Sequence, residues 1–336
     1  MYKAIWEFPE NMKEAYELGN SIVLKNKFNK IQNIVIAGMG GSAIGGDVMS
    51  ALESKNIDLP VVVCRSYSLP SWVNEKTLVL CSSYSGNTEE TLQALDDAVK
   101  KNAQICGITT GGKIGIKIKE LGHDLILIPS GLQPRAALAF SFIPMIKLLE
   151  KIGVINPDID NWLNPTINSL KEVRQLYSKD NKKNPVYDLS QRIYKKIPII
   201  YADTSSLGVV ATRLKGQICE NSKMLAYHNE LPELNHNEIV GWENNSKIFK
   251  YLHLIWLKDI SDNSRTKIRQ NITSDILNEE NIKQDSIHVK GKTFQERFLH
   301  MVHYGDWLSF WCAINHETDP SPVFKISRLK DELSEK

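Results

Sequence analysis

The segment SSYSGNTEET (82–91) crowds several hydroxyl side chains into one turn, where a strand-like run gives way to a helix-like one. Unpaired N–H groups at a helix start carry partial positive charge, and neighbouring hydroxyls add hydrogen-bond donors. Such a turn forms an anion site, and a phosphate is its common ligand. Ser83, Ser85 and Thr88 are the candidate ligands, and the lack of Lys or Arg in the turn suits a monophosphate. The alternative is that Ser85 or Thr88 simply caps the helix, although a cap needs only one hydroxyl.

The segment GMGGSAIGGD (38–47) also joins a strand-like run to a predicted helix. Its glycine spacing departs from the dinucleotide fingerprint G-x-G-x-x-G, and it lacks the G-K-[ST] ending of a nucleoside triphosphate loop. Gly40 and Gly41 nevertheless let the backbone approach a ligand closely, and Ser42 stands where the helix begins. We therefore expect a second loop of the same general kind in the same sheet.

Arg135 is a lone cation in PSGLQPRAALAF (129–140), at the start of a very apolar predicted helix. The positive end of the helix dipole disfavours a cation at that position. Such an unfavourable placement is typical of a functional residue. The alternative is a solvent-exposed arginine.

Short apolar runs without period-2 alternation recur through residues 31–150, and they predict strands buried on both faces of a parallel sheet. These runs are 33–38, 60–64, 77–81, 104–109 and 124–129. Because helical segments separate them, they predict a doubly wound α/β domain, which an apolar helix at 135–153 would complete.

A polar stretch punctuated by proline at 155–185 contains no strand-like run and indicates a helical linker. After it, strand-like runs return at 198–203, 249–257 and 286–290. The segments IVIAGMGGSAIGGDVMSAL and IIYADTSSLGVVATRLKGQI share a layout of strand, small-residue turn and helix, which predicts two copies of one fold. We therefore predict an N-terminal domain at 1–153, a linker at 154–185 and a C-terminal domain at 186–336.

The composition is that of a globular protein, with 42% hydrophobic and 24% charged residues, and 336 residues favour two domains. A net charge of +2 argues against a large nucleic-acid surface. Five scattered cysteines, odd in number, suit a reduced intracellular protein better than a disulfide framework. The sequence shows neither the apolar region of a signal peptide nor a run long enough to cross a bilayer. We expect a cytoplasmic protein without nucleic-acid or membrane partners.

Five motifs, in this order, resemble those of the bifunctional phosphoglucose/phosphomannose isomerases, a family of the phosphoglucose isomerase superfamily built from sugar isomerase (SIS) domains. The motifs are GMGGSAIGGD, SSYSGNTEET, SGLQPRAAL, GQICENSK and ELNHNEIVGWE. The S-x-S-G-x-T element marks any sugar-phosphate SIS domain, whereas the last two motifs are specific to the isomerases. The resemblance implies two SIS-type doubly wound domains, each a parallel sheet flanked by helices. It further implies an isomerase that converts glucose 6-phosphate, and mannose 6-phosphate, to fructose 6-phosphate without a cofactor.

The resemblance also implies roles for particular residues. The phosphate of the sugar would be held by Gly41, Ser42, Ser83, Ser85 and Thr88. Arg135 would stabilise the intermediate, Glu220 in QICEN would be the base, and His236 in LNHNE would open the sugar ring. In this superfamily the histidine comes from the neighbouring subunit, which implies an obligatory homodimer. A lysine of the C-terminal helix also belongs to the site, and Lys330 matches it best, with Lys325 as the alternative.

Other interpretations of these residues stay open at this point. Without the resemblance, Glu220 would be a helix-surface carboxylate, and His236 would belong to a solvated polar loop at 228–238. His300 and His303 are spaced i,i+3, but their surroundings are mainly apolar, so they are expected to pack rather than to bind a metal. A metal-assisted hydride shift would need clustered carboxylate and imidazole ligands, which the sequence does not offer.

Two other functions compete with the isomerase named by the resemblance. One is an isomerase of another phosphosugar, and the other is a non-catalytic SIS protein that senses a sugar phosphate and regulates a partner. A sensor would keep the serine loop but would have no reason to keep the glutamate, histidine and arginine motifs together. Their joint presence favours the enzyme.

Overall fold

The computed structural model describes residues 1–335, which form two compact units. The N-terminal unit comprises Glu7–Ser169, and the C-terminal unit comprises Met1–Trp6 together with residues 170–335. These bounds differ from the predicted domains in two places. The first six residues belong to the C-terminal unit, where Tyr2 packs edge-to-face on Trp307 with ring centroids 5.1 Å apart. The boundary falls inside a helix of the predicted linker, at Ile159–Tyr177.

Helices and strands alternate along most of the chain. The α-helices are α1 (Tyr2–Trp6), α2 (Phe8–Asn20), α3 (Gly40–Leu52), α4 (Glu89–Lys100), α5 (Gly112–Glu120), α6 (Leu138–Ile152), α7 (Ile159–Tyr177), α8 (Pro185–Arg192), α9 (Gly208–Gln217), α10 (Ser264–Glu279), α11 (Phe294–Asn315) and α12 (Phe324–Ser334). The strands are β1 (Asn33–Ala37), β2 (Val61–Cys64), β3 (Thr77–Ser83), β4 (Gln104–Thr109), β5 (Asp124–Leu127), β6 (Ile197–Asp203), β7 (Tyr227–Leu231), β8 (Leu252–Leu257) and β9 (Gln284–Ile287). Within residues 1–335, no helix combines the length and the apolar character that a membrane span requires.

The N-terminal unit contains a parallel five-stranded sheet in the order β2-β1-β3-β4-β5. All five strands predicted from the apolar runs are present, and every residue of the central strand β3 is buried. Apolar side chains of the sheet and of its flanking helices form one core, among them Val35, Val79, Leu95, Ile105 and Ile118. Burying one such side chain contributes about 1.5–3 kcal/mol, which stabilises the central strands β1, β3 and β4, whose apolar runs are almost wholly buried.

The C-terminal unit contains a second parallel sheet, in the order β7-β6-β8-β9. This order repeats the first four strands of the N-terminal sheet, in agreement with the predicted duplication of one fold. The longest helix of this unit is α11, and its residues 297–313 are all buried. It packs against α8 and α9.

Strand β7 corrects the interpretation of residues 228–238 as one long loop. Tyr227–Leu231 pairs in parallel with β6, from Ile199 opposite Tyr227 to Asp203 opposite Leu231. It is an edge strand in which Leu231 alone is buried. Its polar sequence therefore lacks the apolar run by which a central strand is recognised.

His300 and His303 are packing residues of α11, as the apolar setting predicted. The indole nitrogen of Trp307 donates a hydrogen bond to His303 Nε2 at 3.0 Å. Burial lowers the pKa of His303 to about 3, because desolvation disfavours the imidazolium, and His300 and Arg174 act in the same direction. His303 is therefore a neutral core side chain.

The five cysteines are unpaired, and Cys64, Cys81, Cys106 and Cys312 are buried. Burial raises the pKa of the Cys81 thiol to about 12, because apolar surroundings disfavour the thiolate. These four thiols are packing groups, as the sequence predicted.

Candidate active site

The two loops rich in glycine and hydroxyl groups lie where the strand order of the N-terminal sheet reverses. The order 2-1-3-4-5 reverses between β1 and β3. In open α/β sheets, ligands bind in the crevice outside the carboxyl ends of the strands at such a point. The first loop follows β1 and leads into α3, which begins at Gly40, and the second follows β3 and leads into α4, which begins at Glu89. The topology therefore brings both predicted anion loops to a position where ligands commonly bind.

Three loops of this unit are connected at that position by two hydrogen bonds and one close approach of their main chains. Tyr84 N donates to Ser42 Oγ at 3.0 Å, which joins the second loop to the first. The third loop is the segment between β5 and α6, residues 128–137. Leu132 N donates to Tyr84 Oη at 3.0 Å, which joins this third loop to the second. A Cβ on Gly41 would lie 2.3 Å from the carbonyl oxygen of Pro134, so only glycine lets the first and third loops approach this closely. Sequence reasoning missed Tyr84, since a loop tyrosine carries no signal of its own.

The predicted phosphate ligands of the second loop differ in their surroundings. Ser83 is buried, its Oγ accepts a hydrogen bond from Gly86 N at 3.1 Å, and it lies 2.8 Å from Thr88 Oγ1. Ser85 is exposed, and its Oγ accepts from Asn87 N at 3.3 Å. Thr88 occupies the N-cap position of α4, yet its side chain makes no capping hydrogen bond. The capping alternative therefore does not explain Thr88, whose hydroxyl pairs with Ser83 instead.

Gly86 adopts a backbone conformation that other residues avoid. Its φ is 69°, in the left-handed region, and an added Cβ would lie 1.8 Å from the carbonyl oxygen of Gly111. Because the backbone fixes the position of Cβ, and the carbonyl oxygen belongs to the main chain, no side-chain rotation can relieve this contact. A glycine is required for this loop to pack as it does.

Arg135 lies in a 3₁₀ turn, Pro134–Ala136, that precedes α6 rather than in the first turn of that helix. It is only 4% exposed, so the structure excludes the alternative of a solvent-exposed arginine. The preceding residue, Pro134, packs against Gly41, which places the turn beside the first anion loop. A buried guanidinium beside an anion loop adds a permanent positive charge to this part of the unit.

The equivalent position in the C-terminal sheet, between β6 and β8, is occupied by carboxylates. Asp203, the last residue of β6, accepts hydrogen bonds from Ser205 N at 2.8 Å and from Asn263 N at 3.1 Å. The hydroxyl of Ser206 donates to the carboxylate of Asp262. Carboxylates repel an anionic ligand, so this copy of the fold has an internally bonded polar junction in place of an anion loop. Across residues 1–335, no group of three or more His, Cys, Asp or Glu side chains is arranged to hold a metal ion.

Glu220 lies in a π-helical turn, Ile218–Ser222, that continues α9. Such turns are rare and occur frequently at functional sites. The side chain is half-buried and lines a cavity of about 400 Å³ in the C-terminal unit, among mainly apolar neighbours such as Met224, Leu225 and Phe324. Glu220 therefore differs from the helix-surface carboxylate that was the alternative interpretation of this residue.

His236 is exposed, and the cavity that contains Glu220 is not lined by it. Since α9 connects the parallel strands β6 and β7, the turn with Glu220 precedes the amino end of β7. His236 ends a 3₁₀ turn, Glu233–His236, that follows the carboxyl end of β7. The five residues of β7 span roughly 13 Å between those ends. Within one chain the two residues therefore lie at opposite ends of the strands of this sheet.

The two candidate lysines are both exposed residues of α12. Lys325 lines the cavity that contains Glu220, whereas Lys330 does not. The structure therefore brings the alternative lysine, and not the residue predicted first, to the cavity of the candidate base.

Similarities to known proteins agree with this architecture. Residues 182–333 match the family of the bacterial phospho-glucose isomerase C-terminal SIS domain. The C-terminal domain of glucosamine-fructose-6-phosphate aminotransferase from Francisella tularensis has the same fold, with a TM-score of 0.72 over 96% of this chain and 98% of its own, at 18% identity. The protein is thus of the SIS class, with two parallel sheets flanked by helices.

Full-length relatives define the family within that class. A bifunctional phosphoglucose/phosphomannose isomerase from Caldicellulosiruptor bescii is 42% identical, covering 100% of this chain and 99% of its own. Another from Aquifex aeolicus is 37% identical, covering 90% of each chain. The chain belongs to the bifunctional phosphoglucose/phosphomannose isomerase family, as its motifs predicted.

Proposed function

We propose that this protein is an aldose–ketose isomerase that interconverts glucose 6-phosphate and mannose 6-phosphate with fructose 6-phosphate. The observation that carries the proposal is the 42% identity to a bifunctional phosphoglucose/phosphomannose isomerase over the full length of both chains. The anion loops of the N-terminal unit suit the phosphate group that all three sugars share. The combination of glutamate, histidine and arginine motifs favours an enzyme over a sugar-phosphate sensor.

In this proposal the phosphate is held by the hydroxyls of Ser83, Ser85 and Thr88, with Gly41 and Ser42 beside it. The helix starts of α3 and α4 supply N–H groups and the positive end of the helix dipole. The bonds of Ser83 to its own loop orient its hydroxyl before substrate arrives. Such preorganised donors lose little energy to rearrangement when the anion binds.

The chemistry requires ring opening, proton transfer and stabilisation of an enediolate. His236 would open the ring by moving a proton between the ring oxygen and the hydroxyl, since an imidazole can both donate and accept a proton. Glu220 would take the proton from C2, leaving an enediolate, and return it to C1, while the hydroxyl proton moves from O2 to O1 to give the ketose. Arg135 would stabilise the enediolate oxygen as a fixed cation that does not itself donate a proton.

We propose that the protein acts as a homodimer in which His236 of one subunit completes the site of the other. Glu220 and His236 of one chain lie at opposite ends of the strands of one sheet, which argues against their joint action in the same chain. The C-terminal helix supports association as well. No residue of Phe324–Ser334 is buried, although it carries exposed Phe324, Leu329 and Leu333.

We place the protein in the cytoplasm. Its cysteines are unpaired, and four of the five are buried, as expected for a chain that folds in a reducing compartment. The proposed substrates carry a charged phosphate group, which prevents their passage across a lipid bilayer. We therefore expect the enzyme to be in the compartment that contains them, inside the cell.

The proposal is tested with purified protein, EDTA and either hexose 6-phosphate, while fructose 6-phosphate is followed. We expect turnover of both sugars. Glu220→Gln should lower kcat by about 10²–10⁴-fold, while inorganic phosphate still competes with substrate, because the phosphate loops are intact. Glu279→Gln, which neutralises an exposed carboxylate of α10, is the matched control and should keep the wild-type rate. A fully active Glu220→Gln variant would show that the base has been assigned wrongly.

A further inference from the structure

The π-helical turn that carries Glu220 is bonded to α11 by buried side chains for which the proposed mechanism has no role. Asn221 Nδ2 donates to Ser309 Oγ at 2.9 Å, and Ser222 Oγ donates to the carbonyl oxygen of Ser309 at 2.6 Å. The hydroxyl of Ser309 donates in turn to the carbonyl oxygen of Asp306 at 2.7 Å. Asn221, Ser222 and Ser309 are each no more than 2% exposed. Both residues that follow Glu220 are thus fixed by one serine.

Helix α9 is bonded to the same stretch of α11 before the π turn begins. Arg213 Nη2 donates to both carboxylate oxygens of Asp306 at 2.9 Å, and Gln217 Nε2 donates to one of them at 2.7 Å. Residues 213, 217 and 221 are four apart, and in an α-helix each would be rotated by about 40° from the one before. The π turn contains more residues per turn and so removes part of that rotation. Asn221 consequently faces α11 together with Arg213 and Gln217.

Stability alone does not explain this arrangement. Replacing a buried ion pair with apolar side chains of similar volume is often neutral or stabilising. A π turn is also rarer than the α-helical turn that the same residues could form. The chain nevertheless keeps both features directly beside Glu220. A constraint on the position of that carboxylate accounts for both of them.

We infer that Ser309, supported by Asp306, is a positioning residue for the isomerase reaction. By holding Asn221 and Ser222, it keeps the π turn in place and so fixes the direction in which Glu220 enters its cavity. The inference rests on the proposed role of Glu220 as the base. A base must lie within hydrogen-bond reach of the carbon-bound proton, and a misplacement of about 1 Å can lower the rate by about 10²-fold.

The test compares Ser309→Ala with Ser190→Ala, because Ser190 makes the same kinds of bonds away from the π turn. Ser190 Oγ donates to the carbonyl oxygen of Tyr187 at 2.6 Å and accepts from Asn315 Nδ2 of α11 at 2.9 Å. It is 1% exposed, against 0% for Ser309. Each substitution therefore removes one buried hydroxyl with one donated and one accepted bond. A purely structural role predicts the same fall in melting temperature and the same kinetics for both variants.

We expect Ser309→Ala to lower kcat on glucose 6-phosphate by about 10–100-fold with KM changed less than about twofold, and Ser190→Ala to keep both values. A second readout uses glucose 6-phosphate deuterated at C2. Glu220 takes the deuteron from C2 and returns it to C1, so a displaced base loses more of it to solvent. Ser309→Ala should therefore retain less deuterium in fructose 6-phosphate than Ser190→Ala or the wild type.

Asn221→Ala interrupts the same bond from the other side and guards against poor folding of Ser309→Ala. The double variant should lose less kcat than the product of the two single losses, because both substitutions remove the same hydrogen bond. Additive losses, or a Ser309→Ala variant that matches Ser190→Ala in kcat and deuterium retention, would overturn the inference. If Glu220→Gln is inactive while Ser309→Ala is normal, only the positioning role fails. If Glu220→Gln is active, the assignment of the base itself fails.

Discussion

Gly86 determines the shape of the second predicted anion loop. The effect of a side chain at this position on the loop can be distinguished from the backbone strain that alanine causes at any glycine with a positive φ. An alanine there would be strained by its φ of 69° and would also place Cβ 1.8 Å from the carbonyl oxygen of Gly111. The loop must move, and the hydroxyls of Ser83 and Thr88 must move with it. We expect Gly86→Ala to raise KM for glucose 6-phosphate by about tenfold or more, since about 1.4 kcal/mol of lost binding has that effect.

Gly122→Ala is the matched control for that measurement. Gly122 has a φ of 76°, but an added Cβ there meets no atom within 4 Å. Its substitution should cost roughly 1–2 kcal/mol of stability from backbone strain and leave KM unchanged. Equal KM values for the two variants would mean that the loop around Gly86 does not bind the phosphate.

Single residues also show where sequence reasoning reaches its limit. The serines and threonine around Gly86 could be found because several hydroxyls in one turn exceed what capping needs. Ser309 could not be found, because its partners Asn221 and Ser222 lie almost ninety positions earlier in the chain. The burial of Arg135 was likewise unpredictable, since it depends on how the turn at Pro134 packs against Gly41.

At the scale of elements, the predictable strands are those whose residues are apolar. All five N-terminal strands appear as apolar runs, including the edge strands β2 and β5, which are only partly buried, and each was predicted within a few residues of its observed bounds. The edge strand Tyr227–Leu231 was missed because its sequence, YHNEL, is mainly polar. The π turn at Ile218–Ser222 has no pattern by which it could be recognised, since it depends on bonds to a distant helix.

The two candidate lysines of helix α12 lie in different surroundings. The family resemblance favours Lys330, whereas Lys325 lines the cavity that contains Glu220. A cation close to the base and its substrate would stabilise developing negative charge, and one that points elsewhere would not. We expect Lys325→Met to lower kcat by about tenfold or more and Lys330→Met to change it less than about twofold, as measured with glucose 6-phosphate.

The two lysine variants are controls for each other, because they remove the same charge from the same exposed helix. Comparable melting temperatures would show that neither substitution disrupts the fold. A larger effect of Lys330→Met would support the assignment by resemblance. It would also mean that α12 is arranged differently in the active assembly.

For the whole molecule, the two copies of one fold differ in the candidate residues that they carry. The N-terminal unit carries the predicted anion loops, whereas carboxylates occupy the equivalent position of the C-terminal unit. The C-terminal unit instead carries the proposed base Glu220 and the proposed ring-opening residue His236, at opposite ends of the strands of its sheet. The sequence indicated the duplication through its repeated layout of strand, turn and helix. It could not indicate the separation of Glu220 from His236, which depends on the parallel edge strand that was missed.

That separation makes a definite prediction about mixed dimers. Glu220→Gln and His236→Asn chains with different tags are co-expressed, and the heterodimer is isolated through both tags. If His236 acts across a two-fold interface, one of the two sites keeps both wild-type residues, and about half of the wild-type kcat per dimer should return. If His236 acts in its own chain, each site carries one substitution and no activity returns.

A second heterodimer, of a wild-type chain with a Glu220→Gln/His236→Asn chain, reverses the expectation. Action across the interface leaves one substituted residue in each site, so this dimer should be inactive. Action within one chain would leave one intact site and about half of the wild-type kcat. The two heterodimers contain the same substitutions in different arrangements, so differences in stability or expression cannot imitate the result. Failure to isolate any doubly tagged species would contradict the proposed homodimer itself.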